Sequence, residues 1–208
     1  MRLQRIDEHT RPDHFYLDEG DECYYVFEYT ARQEPPYDET SNLIFNLKKS
    51  VDRRGRPEYY YKERDIRRAG DYLRSVLNEE WLPTAMLVPV PCSKTRDHAL
   101  YDDRMLQVLQ RMTQNLACDV RELVIQTESL DSFHDGCRLS PNQLRQYYEL
   151  DEAICEWGRP REVAVFDDLL TTGSHFKAMK AIIGERWPNV PVSGIFIARR
   201  YIPHEELN

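Results

Sequence analysis

The sequence predicts an α/β fold: a mainly parallel, twisted, Rossmann-like sheet flanked by helices, with an N-terminal antiparallel cap or hood beside it. Three observations carry that expectation. From residue 85 onward, short apolar runs alternate with stripes of helical period, as in βαβ units. Before residue 85 the apolar residues are aromatic and β-branched and fall in closely spaced runs, as in an antiparallel meander. Within the core, two segments without periodicity, 91–102 and 127–148, follow the ends of apolar runs, where an open parallel sheet binds its ligands.

The N-terminal elements come first. CYYVFEYT (23–30) and NLIFNLKK (42–49) read as strands, with EYYY (58–61) a third after the turn-like DRRGRP. Ile66, Ala69, Leu73, Val76 and Leu77 then mark a helix leading into the core. A cap over residues 1–62 and a core over 63–208 is the expected division, with one single domain as the alternative. In the core, AMLVPV (85–90) reads as a buried strand, and 120–126, 162–167 and 192–198 read as three more. Met105, Val108, Leu109, Met112 and Leu116 lie on one helical face, behind Asp102 and Asp103 at its positive end. Phe176, Met179, Lys180 and Ile183 trace the helix between the last two strands.

Composition narrows the function classes. The chain has 208 residues and a net charge of −8, which disfavours a protein whose whole surface is an electrostatic footprint for nucleic acid. No apolar run approaches membrane-spanning length, and MRLQRIDEHTRPDH offers no signal peptide, so a cytoplasmic protein is expected. The five cysteines, Cys23, Cys92, Cys118, Cys137 and Cys155, show no ligand spacing and read as reduced thiols.

The chemistry concentrates in VAVFDDLLTTGSHFK, residues 163–177. An uncompensated carboxylate inside an apolar interior costs several kcal/mol, so Asp167 and Asp168 are expected where the strand emerges, facing water, a cation or ligand hydroxyls. Thr171, Thr172, Gly173 and Ser174 then lead into a helix whose first amides lack internal partners, a cradle for phosphate. A diacid beside a hydroxyl-rich turn suits a ribose phosphate, with the diol on the acids and the phosphate in the turn. Ordinary helix capping is the competing reading of the turn, and a solvated strand end that of the acids.

VAVFDDLLTTGSH resembles the phosphoribosyl-pyrophosphate (PRPP) motif of type I phosphoribosyltransferases: apolar residues, two acids, two aliphatics and a Thr-Thr-Gly turn. The family usually ends the motif in a small hydroxyl residue where this chain has His175, whose ring nitrogen or Ser174 would make that contact. LVPVPCSKTR resembles the family's first core strand and pyrophosphate loop, which implies that Ser93, Lys94, Thr95 and Arg96 bind diphosphate. RLSPNQLRQYY lies where the family has its flexible catalytic loop, implying roles for Arg138 and Arg145. The resemblance covers roughly residues 65–200. It implies a pentosyl-transferring enzyme of nucleotide metabolism that displaces diphosphate from C1 of PRPP with a nitrogen acceptor, a nucleobase or small amine. It further implies a homodimer, Mg²⁺ as cofactor, and Asp167 and Asp168 as its ligands, directly or through water, with Asp167, Asp168 and Arg138 as catalytic residues.

A rival reading is a non-catalytic PRPP or nucleotide binder of the same fold, with regulation through nucleic acid or a protein. Its support is the segment 48–68, where nine Lys or Arg stand against four acids beside three consecutive tyrosines. A solvated basic hairpin, or a hood over the acceptor, are the other readings of that segment. His134 and His175 have no second ligand at metal spacing, and Cys92 and Cys137 flank the site without an activating base.

Overall fold

The computed structural model describes residues 1–30, 37–130 and 139–201. Its main sheet has six strands: β1 (Gln4–Arg5), β2 (Glu22–Thr30), β3 (Met86–Pro89), β4 (Asp119–Val120), β7 (Val163–Leu170) and β8 (Val192–Tyr201). The spatial order is β1-β2-β8-β7-β3-β4, parallel throughout except for the short β1 against β2. Two further strands, β5 (Val124–Gln126) and β6 (Tyr148–Leu150), form a separate antiparallel pair. Six helices accompany them among the described residues: α1 (Glu39–Leu47), α2 (Tyr59–Val76), α3 (Arg104–Met112), α4 (Pro141–Arg145), α5 (Glu152–Cys155) and α6 (Ser174–Arg186). None of the described helices is long and apolar enough to cross a membrane.

Side-chain alternation along the strands builds two cores. On one face Met86, Val88, Val163 and Val165 pack with Phe176, Met179 and Ile183 of α6. On the other, Leu87, Ala164 and Phe166 pack with Ile44 and Leu47 of α1, Ile66 and Leu73 of α2, and Val108 and Met112 of α3. The result is an α/β/α layering in which β3 and β7 are covered on both sides.

The expected antiparallel cap is corrected here. Residues 42–49 lie mostly in α1 rather than in a strand, because Asp38 caps the helix by accepting from the Ser41 amide at 2.6 Å, and Leu43, Ile44 and Leu47 form a helical stripe. Residues 58–61 lead into and open α2, whose buried residues run from Tyr59 through Lys62, Ile66 and Ala69 to Leu73. Residues 23–30 are a strand as expected, but β2 pairs in parallel with β8, over the register Glu22↔Ser193 to Thr30↔Tyr201. Antiparallel pairing in this region is confined to β1. The segment 120–126 divides: Val120 ends β4 in the main sheet, and Val124 begins β5 in the small one. Four free cysteines, Cys23, Cys92, Cys118 and Cys155, agree with reduced thiols, while Cys137 lies outside the described residues.

Chain direction fixes where a ligand can sit. From β3 the chain passes through α3 to β4 on one side, and from β7 through α6 to β8 on the other. The strand order therefore reverses between β3 and β7, and the crevice at their C-terminal ends is the topological switch point. Into this edge the N-terminal segment brings His14 and Tyr16. The buried His14 ring donates from Nδ1 to the Thr171 carbonyl, and the Tyr16 amide donates to the Thr172 carbonyl at 3.0 Å. Gly173 is left-handed at φ 87°, and a Cβ there would come within 2.7 Å of Leu17, so this turn needs glycine on both counts.

Burial lowers the His14 pKa below 6.5, helped by Arg199 and Arg200 and opposed by the Thr171 hydrogen bond and Asp13. Its Nε2 is buried without a hydrogen-bond partner among the described residues. The folded state thus favours neutral His14, and the unfolded chain binds the extra proton as pH falls through 6.5. Stability is expected to decline on acidification from about pH 6.5, read by urea midpoints at successive pH values, and His14→Asn is expected to flatten that slope. An unchanged slope in the variant assigns the acid sensitivity elsewhere.

Candidate functional site

β7 pairs with β3 from Val163↔Met86 to Phe166↔Pro89, and Val90 donates to Phe166 at 2.9 Å as β3 ends. β8 does not stop there: Asp167↔Phe196, Leu169↔Ala198 and Leu170↔Arg199 carry β7 onward. The two acids therefore lie inside an extended strand rather than beyond it. Alternation then sends neighbouring side chains to opposite sheet faces.

Asp168 turns toward the face of α1, α2 and α3. Its Oδ2 accepts from Arg104 Nε at 3.0 Å and Nη2 at 2.7 Å, and its Oδ1 lies 3.1 Å from Lys48 Nζ. Burial raises the cost of its charge, yet Lys48 and Arg104 hold the carboxyl well below the usual carboxylate range. The pairs continue inward. Arg104 Nη1 donates to Asp102 at 3.0 Å, and Asp102 also accepts from Lys62 Nζ at 2.6 Å. Lys62, only 1% exposed, donates in addition to the Leu47 and Lys49 carbonyls, both at 2.7 Å. One buried ammonium thereby caps the last turn of α1 on either side of Lys48. Burial lowers the Lys62 pKa, against the opposing pull of Asp102.

Asp167 is partly exposed, and its Oδ1 accepts from the Asp168 amide at 2.8 Å. Burial first, and the Asp168 charge second, push its carboxyl up to about 7, because the neighbouring cations favour Asp168. Beyond it, Thr172 and Ser174 are buried with their hydroxyls 3.1 Å apart, and the N-cap of α6 is Gly173, which has no side chain to cap the helix. His175 is not idle at the motif's end: its Nδ1 lies 2.7 Å from the hydroxyl of buried Tyr148 on β6. Burial raises the Tyr148 pKa, and the charge of Asp167 adds to it.

The segment proposed for diphosphate follows β3 to the same edge. Thr95 is tied to Ser129 through its amide and hydroxyl, both at 3.1 Å, and the Ser93 carbonyl accepts from Leu130 at 2.7 Å. Arg96 donates to Asp151 at 3.0 Å and to the Glu122 carbonyl at 3.1 Å, which commits its guanidinium to the β4–β5 side. Lys94 is half-buried and has interactions of its own. The structure thus brings Asp167, Asp168, the 171–175 turn and the 93–96 loop to one sheet edge. Arg138, with His134 and Cys137, lies outside the described residues. Arg145 joins Glu185 of α6 and the Tyr148 carbonyl, supporting the small sheet.

Much of the basic segment 48–68 is spent internally: Lys48 on Asp168, Lys62 on Asp102, and Arg64 and Arg68 on buried Asp65. Lys49 lies over the rings of Phe45 and Tyr61, at 5.5 and 5.1 Å. Sequence reasoning missed Lys48, Lys62, Arg104 and Tyr148 as members of this edge. Only Arg104 left a signal, as a cation just behind the Asp102-Asp103 pair and one residue before the helical stripe begins.

Metal fit can be judged from the donor set. Among the described residues no group of three or more His, Cys, Asp or Glu could hold a metal ion. Of the two Asp167 carboxylate oxygens, only Oδ1 accepts a hydrogen bond among the described residues, from the Asp168 amide, and a carboxylate with its second oxygen open matches an ion carried by one carboxylate, waters and substrate phosphates, the habit of Mg²⁺.

Asp102→Asn leaves Lys62 buried without a carboxylate, and is expected to cost about 3 kcal/mol, measured as a lowered urea midpoint. Lys62→Met is expected to cost less, because Asp102 keeps Arg104. Equal midpoints for Asp102→Asn and the parent would remove the buried pair as a source of stability.

Scanned against models of protein families and against curated proteins, the chain matches none.

Proposed function

We propose that the chain is a phosphoribosyltransferase of the type I kind, binding PRPP with Mg²⁺ and displacing diphosphate with a nitrogen nucleophile. One observation carries the reading: the pairing of β3 with β7 puts an acid and a hydroxyl-rich helix turn beside the 93–96 loop at the sheet's switch point. The two acids divide the work. Asp167 receives the ribose diol, since its side chain is partly exposed and its second oxygen is available. Asp168 holds Arg104 and Lys48 in place around that edge.

The 5-phosphate belongs at the 171–175 turn, which offers the first amides of α6 and the hydroxyls of Thr171, Thr172 and Ser174, the last two 3.1 Å apart. Diphosphate lies toward Ser93, Lys94 and Thr95. Mg²⁺, when bound with the substrate, supplies charge neutralisation for the departing diphosphate. Asp167 would be its protein ligand. The ribosyl centre gains positive charge as the C1–O bond breaks, and the Asp167 carboxylate stabilises it electrostatically while the acceptor nitrogen forms the new bond.

A second reading has its own observation. Asp168 is fully engaged by cations, a self-compensated arrangement that suits a binder which senses PRPP or a nucleotide without turnover. Diphosphate release from PRPP and Mg²⁺, measured over a panel of nucleobases and amines, distinguishes the two. Acceptor-dependent release is expected, with Asp167→Asn slower by about a hundredfold. Binding of PRPP without release from any acceptor establishes the binder, and absence of both binding and release overturns the PRPP reading altogether.

A further inference from the structure

In the charged cluster at Asp168, two acids, Asp168 and Asp102, are paired with three cations, Lys48, Arg104 and Lys62, and two of those cations are fixed. Arg104 donates from both Nε and Nη2 to Oδ2 of Asp168, and its Nη1 donates to Asp102. Lys62 is 1% exposed and has three acceptors. Lys48 differs. Its side chain is 45% exposed and makes one ion pair, to an oxygen of a carboxylate that is itself 3% exposed.

The backbone at Lys48 is nevertheless held, since Lys62 binds the carbonyls of the residues immediately before and after it. A fixed base with a solvent-facing stem lets the ammonium exchange one anion for another without moving the helix. The Lys48 ammonium also covers Oδ1 of Asp168, the oxygen that a cation from solution would otherwise reach.

We propose that Lys48 is a ligand-binding residue of this site: it is the counter-ion of Asp168 in this structure and transfers to the diphosphate of an incoming PRPP. The proposal rests on the reading given under Proposed function. While Lys48 stands on Asp168, a free divalent cation meets an ammonium in its path, and the ion arrives together with the substrate's phosphates instead of ahead of them. Removing the ammonium takes a repelling charge out of the ion's path and leaves Oδ1 of Asp168 without its cation partner.

The inference makes two effects of opposite sign. Lys48→Gln is expected to bind Mn²⁺, titrated alone by electron paramagnetic resonance, about tenfold more tightly than the parent, with Lys48→Arg restoring parental affinity. The same Lys48→Gln is expected to bind PRPP about tenfold more weakly at saturating Mg²⁺ in a calorimetric titration. A residue that only supports the fold would weaken both. Unchanged Mn²⁺ affinity in Lys48→Gln overturns the counter-ion role, and unchanged PRPP affinity overturns the transfer to diphosphate. Should the parent itself bind no PRPP, the reading of the site fails, and the Mn²⁺ titration still decides whether Lys48 guards Asp168.

Discussion

The ion pairs of Asp168 hold together the sheet edge at the C-terminal ends of β3 and β7. A carboxylate buried at the end of a strand is tolerated only with good partners, and here two cations on different elements reach it: Arg104 from the start of α3 and Lys48 from the end of α1. Asp102 and Lys62 extend the contact to α2. Three helices are thereby registered against one position of β7. Their apolar faces fix the layer, and the charges fix its alignment at the edge where direction matters.

Sheet length has a consequence for chemistry. β3 ends at Pro89 while β8 and β2 run on together to Tyr201 and Thr30, so β7 keeps a partner on one side after losing it on the other. Asp167 and Asp168 fall in that half-paired stretch. Alternation separates them, giving one acid to the α1–α3 face and leaving the other partly exposed with its pKa raised by burial and by its neighbour. Two adjacent residues of the same type thus acquire opposite protonation tendencies, because alternation gives Lys48 and Arg104 to one of them and leaves burial to dominate the other.

The same edge is closed from a second direction. His14 and Tyr16 bind the carbonyls of the 171–172 turn, and Leu17 fills the space that a side chain at residue 173 would need. Tyr148 takes His175 from the small sheet. The turn is therefore built from three separated parts of the chain, which explains why so little of its support is visible in the motif itself. Periodicity located β3, α3, β7, α6 and β8 because each has one apolar pattern that only a buried element satisfies. It failed at 42–49 and 58–61, where aromatic and aliphatic residues follow one another without alternation. There the Asp38 cap and the Leu43, Ile44, Leu47 spacing were the better guide.

Local composition by itself determined that a strand carries paired acids into a hydroxyl-rich turn and a helix, since apolar runs must be buried and a turn rich in Thr, Gly and Ser interrupts them. It determined the parallel core for the same reason. The fate of each charge was decided only in three dimensions. Lys48 and Lys62 are indistinguishable from their basic neighbours in the chain, and their roles come from helix α1 ending, and α2 running, within reach of Asp168 and Asp102. Pairing with β8 beyond the end of β3 decided that the two acids face apart, because the direction of a side chain on a strand is set by strand continuation, which depends on partners distant in sequence.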